Sequence, residues 1–364
     1  MVTTYPPTKC GIGRFSSSLC EAWRRIAPKA RIRIARIATT ADAFDADPRV
    51  EVMFDPSSAM AARHVARAVN DTDAVVIQHE FGLYGPDDGI AVLDLADRIE
   101  VPLVSVLHTV RPHPTHRQRQ IVEELGRRGH LIVMSKVARS QLLAAHDVDP
   151  AVVSVIPHGS VWSPTAPPPT PRRRLITWGL LGPGKGIERA LHALARVRLE
   201  PPVTYDIVGQ THPKVLARSG QAYRRSLEDL AADLGVQDQV RFIDRYVDDF
   251  ELASMAASAA AVVIPYDNDE QVCSGVLTDA IAIGRPVIAT AFPHATELAP
   301  DCGRVVDRDP KAMAAAITEL LTDDAAYTEA AGMAQSRGQS FAWTRVAAAY
   351  LDLLHDVRAR SVVA

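Results

Sequence analysis

The chain lacks any apolar run approaching the about 18 residues that a membrane-crossing helix needs, so no transmembrane helix is expected. It does not open on a basic region followed by an apolar core, so a secretory leader is not expected either. Cysteine is sparse: Cys10, Cys20, Cys273 and Cys302 form no C-x-x-C pair. Their spacing fits neither a zinc site nor a small disulfide scaffold, and reduced thiols in a cytoplasmic protein follow. No excess of positive charge is present, the formal net charge being −3, which argues against a nucleic-acid binder. Lysine is scarcer still, six in 364 residues, so arginine carries nearly all the positive charge. A lysine placed in a loop therefore draws notice.

What is present is an ordinary globular composition, 47% hydrophobic and 23% charged, in a chain long enough for two domains. Short β-rich runs at Ile32–Ile37, Ala74–Gln78, Leu103–Leu107, Leu131–Met134 and Val153–Pro157 alternate with helical patterns near 13–27, 57–70, 87–98, 114–128 and 136–145. Such alternation predicts a parallel sheet covered on both faces. Val2–Tyr5 reads as a first strand, short for a central place, as though the chain began later than the fold wants. The proline-rich stretch 163–171 reads as a linker and hinge. Beyond it the alternation restarts at Leu175–Trp178, Val203–Val208, Val240–Ile243, Ala261–Ile264 and Val287–Ala289. The fold class expected is α/β, two Rossmann-like doubly wound domains facing across a cleft, with ligands at the carboxyl ends of the strands. The expected boundaries are 1–165, 166–340 and a C-terminal helical segment, 341–364, folding back on the first domain.

Three loops carry the chemistry. Gly11 and Gly13 lie between the first strand and first helix, where bare backbone and a helix N-terminus suit an anion; a plain turn explains them too. Trp178-Gly-Leu-Leu-Gly-Pro-Gly-Lys-Gly186 is a second glycine-rich strand–helix junction. It is no Walker A loop, because Gly186 follows Lys185, and it reads as a diphosphate clamp built on Gly184 and Lys185. In Gln271-Val-Cys-Ser-Gly-Val-Leu-Thr-Asp279, Ser274 and Gly275 open a helix, and Asp279 stands a turn further in to accept from sugar or ribose hydroxyls. A cap and a solvated acid are the plain alternatives.

The order of a glycine-rich first loop, His108 after a strand, Gly-x5-Lys-Gly and an x7-spaced polar pair before Gly284-Arg-Pro-Val-Ile-Ala289 resembles the family 4 retaining glycosyltransferases (glycosyl transferases group 1, GT-B fold). The likeness covers nearly the whole chain. It implies that the second domain binds a nucleotide sugar and the first an acceptor. It implies, too, that Lys185 neutralises the diphosphate, Asp279 holds the ribose, Gln271 touches the donor sugar, and the amides of Ser274, Gly275 and Val276 meet phosphate or sugar oxygens. His108 would lie at the reaction centre, so His108, Lys185 and Gln271 are the catalytic candidates. The base would lie near Arg245, Tyr246 and Val247. Two departures stand out: Leu180 occupies a place where the family commonly has Arg, and Gln271 and Asp279 replace a Glu pair. A mannosyl-transferring subgroup with similar segments points to GDP-mannose as donor.

His79 and Glu80, ending a strand, are candidates to position an acceptor hydroxyl. Asp45-Ala-Asp47 has the outline of a metal-binding Asp-x-Asp, but the resemblance implies retention without a metal or other cofactor. The basic stretch 111–130 reads as a solvated helix face rather than an anionic-acceptor or membrane patch. The partners expected are a nucleotide sugar and a carbohydrate, lipid or small-molecule acceptor, with no nucleic acid. The expected location is cytoplasmic, and a peripheral contact at the inner face of the membrane stays open. A catalytically degenerate sugar-nucleotide sensor or scaffold is the alternative in kind, and a sugar-nucleotide epimerase on the same architecture is another.

Overall fold

A computed structural model describes residues 1–8, 10–38, 47–162, 172–268 and 270–363. The expected linker at 163–171 lies outside them. The chain divides into two compact units, Met1–Gly159 with Trp343–Ala364, and Ser160–Ala342.

The first unit runs β1 (Val2–Thr3), α1 (Gly11–Ile26), β2 (Ile34–Ile37), β3 (Val50–Phe54), α2 (Ala61–Val69), β4 (Val75–His79), α3 (Ala91–Ala96), β5 (Leu103–Leu107), α4 (His116–Arg128), β6 (His130–Val133), α5 (Lys136–Ala145) and β7 (Val153–Val155). Its seven strands are parallel in the order β3-β2-β1-β4-β5-β6-β7. Strands β4, β5 and β6 are buried along their whole length, as continuous apolar runs in a doubly covered parallel sheet should be.

β3 was not anticipated from sequence; it is a partly exposed edge strand, so no sustained apolar run marks it. The helix expected over 87–98 is shorter. Asp87 and Asp88 take left-handed backbone angles (φ 57° and 60°), which no helix tolerates, and α3 starts only after them. Likewise Asp55 accepts the Ser57 N–H and holds a turn ahead of α2, which begins later than its pattern suggests.

The second unit continues with β8 (Arg174–Trp178), α6 (Ile187–Leu194), β9 (Thr204–Val208), α7 (Pro213–Ser219), α8 (Ala222–Asp233), β10 (Val240–Ile243), α9 (Asp249–Ala257), β11 (Ala261–Ile264), α10 (Gly275–Ala282), β12 (Val287–Thr290), α11 (Pro293–Leu298), β13 (Gly303–Val306), α12 (Pro310–Thr322) and α13 (Asp324–Gly338). Its six parallel strands are ordered β10-β9-β8-β11-β12-β13. The edge strand β13 also escaped the sequence pattern, being four residues opened by a glycine. The last helix, α14 (Trp343–Val363), belongs to the first unit and packs on α1, where Trp23 donates its indole N–H to the Ala347 carbonyl at 2.9 Å.

Candidate functional site

In the second sheet the strand order reverses between β8 and β11, and loops leaving adjacent strands in opposite senses open a crevice there. The loop after β8 carries the glycines. Gly186 sits at φ +64°, and a Cβ there would lie 1.8 Å from the Pro265 carbonyl oxygen, so no other residue fits. The Asp267 N–H donates to Gly184 O at 3.0 Å, tying the loop after β11 to the loop after β8. Across this junction the Lys185 ammonium stands 4.3 Å from the Tyr266 ring centroid, and Tyr266 is stacked on Phe292 at 5.3 Å. A cation held on an aromatic face keeps its charge in a defined place. Among the described residues no carboxylate pairs with Lys185. Tyr266 was not picked out in the sequence, although its place just past a buried strand was the available signal.

The third motif is placed as expected but wired differently. Ser274 caps α10, its hydroxyl accepting from the Leu277 N–H at 3.3 Å. The Ser274 N–H itself donates to His294 Nδ1 at 2.9 Å, so the expectation that this amide meets a phosphate is corrected: it is already used. The amides of Gly275 and Val276 remain in the first turn, where a helix has no partner of its own to offer. Gln271 turns its side-chain amide to the Cys273 carbonyl. Burial pushes the Cys273 thiol up to about 12, which removes it as a nucleophile. Asp279 Oδ1 accepts from the Ser160 hydroxyl at 2.6 Å. Ser160 and His294 are thus members of the cluster that sequence reasoning missed, because each reaches it from a distant stretch of chain.

The loop after β10 is less open to a ligand than expected. Arg245 is paired with Glu251, its Nη1 2.7 Å from Oε2, and the Val247 side chain packs in the core. Tyr246 is 49% exposed, and Arg245 beside it is exposed as well despite its ion pair.

In the first sheet the order reverses between β1 and β4. The loop after β1 leads into α1 at Gly11, and a Cβ on Gly13 would touch the Tyr5 backbone at 3.4 Å. His79 ends β4 with no exposed surface and, among the described residues, no partner for either ring nitrogen, and burial holds its pKa down at about 4. A side chain so enclosed offers nothing to an acceptor, so the expected role of His79 in direct acceptor contact is corrected. Glu80 accepts from the Phe81 N–H at 2.9 Å and from the Thr109 hydroxyl at 2.7 Å. His108, half-buried at the end of β5, has its Nε2 2.7 Å from Gln78 Oε1. The amide oxygen only accepts, so Nε2 carries the proton and Nδ1 keeps a lone pair. Desolvation, then the neighbouring His158 and His79, hold His108 well below the usual imidazole range. Phe15 of α1 meets His108 and His158 edge-on at 5.2 and 5.1 Å.

The basic stretch 111–130 is largely satisfied by local partners: Arg117 pairs with Asp87, Arg127 with Glu124, and Arg128 with Asp97 and Glu124. Of the Asp-x-Asp outline, Asp45 lies outside the described residues, while Asp47 is engaged by Arg49 at 2.6 Å. No grouping of metal-ligating side chains occurs among the described residues.

Residues 172–323 match the family model for glycosyl transferases group 1. The second unit therefore carries a glycosyl transferases group 1 domain. The chain is 29% identical, over 71% of its length and 67% of the relative's, to a D-inositol 3-phosphate glycosyltransferase of Kineococcus radiotolerans. It is 26% identical, over 71% of its length and 66% of the relative's, to an MMP alpha-(1->4)-mannosyltransferase of Mycolicibacterium hassiacum. The chain spans about two thirds of the length of the curated relatives it matches. The crystal structure of Anabaena HepE in complex with UDP and glucose shares the fold, with a TM-score of 0.75 at 18% identity over 98% of each chain. That fold is the GT-B arrangement of two Rossmann-like domains.

Proposed function

We propose that the chain transfers a hexosyl group from a nucleoside diphosphate sugar to a hydroxyl group of a glycan, lipid or small-molecule acceptor, with the second unit holding the donor. The observation that carries this reading is Lys185 poised on Tyr266 at the strand-order reversal, with no carboxylate partner among the described residues. Departure of a nucleoside diphosphate develops negative charge on the phosphates. A fixed ammonium and the amides of Gly275 and Val276 meet that charge without reorganising, and need no metal. His108, kept neutral with its lone pair on Nδ1, is suited to accept a hydrogen bond from a sugar hydroxyl, so it orients rather than protonates. Asp279 is the group for the ribose, by exchanging its Ser160 partner for a ribose hydroxyl. Retention follows from the family resemblance, with the leaving phosphate assisting deprotonation of the acceptor.

For the donor, mannose from GDP-mannose draws support from the resemblance and from the mannosyltransferase among the relatives. The UDP-bound neighbour favours uracil instead. The D-inositol 3-phosphate glycosyltransferases among the relatives favour a phosphorylated polyol as acceptor. A thermal-shift panel of GDP, UDP, ADP and their sugars tests the reading, since a bound ligand raises stability by mass action. GDP and GDP-mannose should give the larger shift; a larger shift with UDP would reject the guanine preference, and no shift with any would reject the donor site. A sensor that binds without turnover is the second reading, favoured by the Gln271 amide being spent on Cys273. Donor hydrolysis or transfer to D-inositol 3-phosphate would exclude it.

A further inference from the structure

A diphosphate diester carries two negative charges, and Lys185 supplies one positive charge. We propose that His212 is a second diphosphate-binding group, placed beside Lys185 by the joining of the loops after β8 and β9. The inference rests on the reading that the donor diphosphate lies at Lys185.

The two loops are stitched together. The Leu181 N–H donates to Gln210 O and the His212 N–H to Leu181 O, each at 2.8 Å, and Leu181 and Thr211 form a parallel bridge. Buried Thr211 is fixed from the other side, its hydroxyl donating to Gln221 Oε1 at 2.6 Å. The turn at 210–212 therefore extends the sheet by one rung past the strand ends. Gly182 packs closely under this turn, since a Cβ built there would meet Val215 Cγ2 at 3.2 Å and His212 Cβ at 3.8 Å.

The ring itself is oriented. Lys214 N–H donates to His212 Nδ1 at 3.1 Å, so the lone pair is spent there and Nε2 bears the proton as a donor. His212 is half-buried. Desolvation first, then the charges of Lys214 and Lys185, hold its basicity below the ordinary imidazole value. Among the described residues no carboxylate pairs with Lys185, His212 or Lys214. Cationic groups gathered without a counter-ion are matched by an anion arriving between them.

Bound diphosphate would raise the His212 pKa from its depressed free value. Affinity should then be greatest below the free pKa and decline as pH rises through the bound one. The test uses the full chain and GDP-mannose and UDP-glucose, whose diphosphate diesters keep a constant charge from about pH 5.5 to 8. Binding is measured by calorimetry across that range for wild type, His212→Gln, His212→Ala and Lys185→Ala. For the nucleotide sugar that wild type binds, affinity should fall roughly tenfold from the acid to the alkaline end. His212→Gln should flatten that profile, and His212→Ala should lose about tenfold at the acid end. A flat wild-type profile, or an unchanged slope in both His212 variants, would overturn the inference. Wild-type affinity in Lys185→Ala would instead overturn the placing of the donor, whatever the His212 variants do.

Discussion

Lys185 and His79 show how opposite environments act on single residues. Lys185 has an aromatic face and no carboxylate partner among the described residues, so an incoming diphosphate need displace no competitor. Losing a charge-assisted hydrogen bond in such a site should sit at the upper end of the range of about 1.5–3 kcal/mol. Lys185→Ala is therefore expected to lower kcat/KM by roughly 10²-fold, about 2.7 kcal/mol, in a steady-state transfer assay. Near-normal turnover and donor affinity would place the diphosphate elsewhere. His79 is the contrary case, an imidazole sealed in the sheet with both nitrogens unpartnered among the described residues and its pKa at about 4. Because the folded value lies below the unfolded one, the unfolded chain binds the extra proton. Stability is full above the unfolded value and is lost as pH falls from about 6.5 toward the folded value. His79→Leu should shed about one proton from the acid limb of a denaturant-derived stability profile. His108, His130, His146 and His212, also held low by burial, would keep their share of that limb. An unaltered slope in His79→Leu would mean that the ring is not sealed.

Elements place these residues by backbone constraints that tolerate little change. Gly186 ends the lysine loop and opens α6, with a left-handed backbone and the Pro265 carbonyl where a side chain would be. Gly186→Ala should push the loops after β8 and β11 apart. The expected outcome is loss of nucleotide diphosphate binding by calorimetry, together with a lower melting temperature; retention of both would show the loop to be more plastic than its contacts allow. At α10 the roles of side chain and backbone separate. Ser274→Ala removes the cap on Leu277 but leaves the Gly275 and Val276 amides in place. It should cost about 1 kcal/mol of stability by denaturant titration while leaving donor affinity within about twofold. A large loss of affinity would mean that the cap sets the aim of the first turn.

At the scale of the whole molecule, each unit is a sheet whose order reverses once, and each reversal gathers the chemistry-bearing loops of that unit. The chain's last helix is part of the first unit's core. Val346, Ala347 and Tyr350 of α14 are buried, Trp23 bonds to its backbone, and Trp343 lies against Phe15 at 5.2 Å. Gly159 has no room for a side chain, since a Cβ would fall 2.1 Å from the Trp343 ring. Burying one large side chain is worth about 1.5–3 kcal/mol, so removal of residues 343–364 should cost more than a small domain can spare. Loss of the first unit's cooperative transition in calorimetric melting is the expected result. An unchanged melt would show that α14 is dispensable to that core.

The sequence by itself determined the strands buried on both faces, because continuous apolar runs such as Leu103–Leu107 and Ala261–Ile264 need no partner to be recognised. It also determined the positions of the glycine loops, since Gly186 and its neighbours advertise backbone that other residues cannot follow. Edge strands β3 and β13 were illegible, being short and half-solvated, with stability that comes from one neighbour strand only. The wiring of the site was decided by tertiary structure alone. That Ser274 spends its amide on His294, that Asp279 holds Ser160, and that Tyr266 carries Lys185 are pairings between residues 20, 119 and 81 positions apart. No local periodicity encodes such pairs, because they exist only once parallel strands distant in sequence have set their ends side by side.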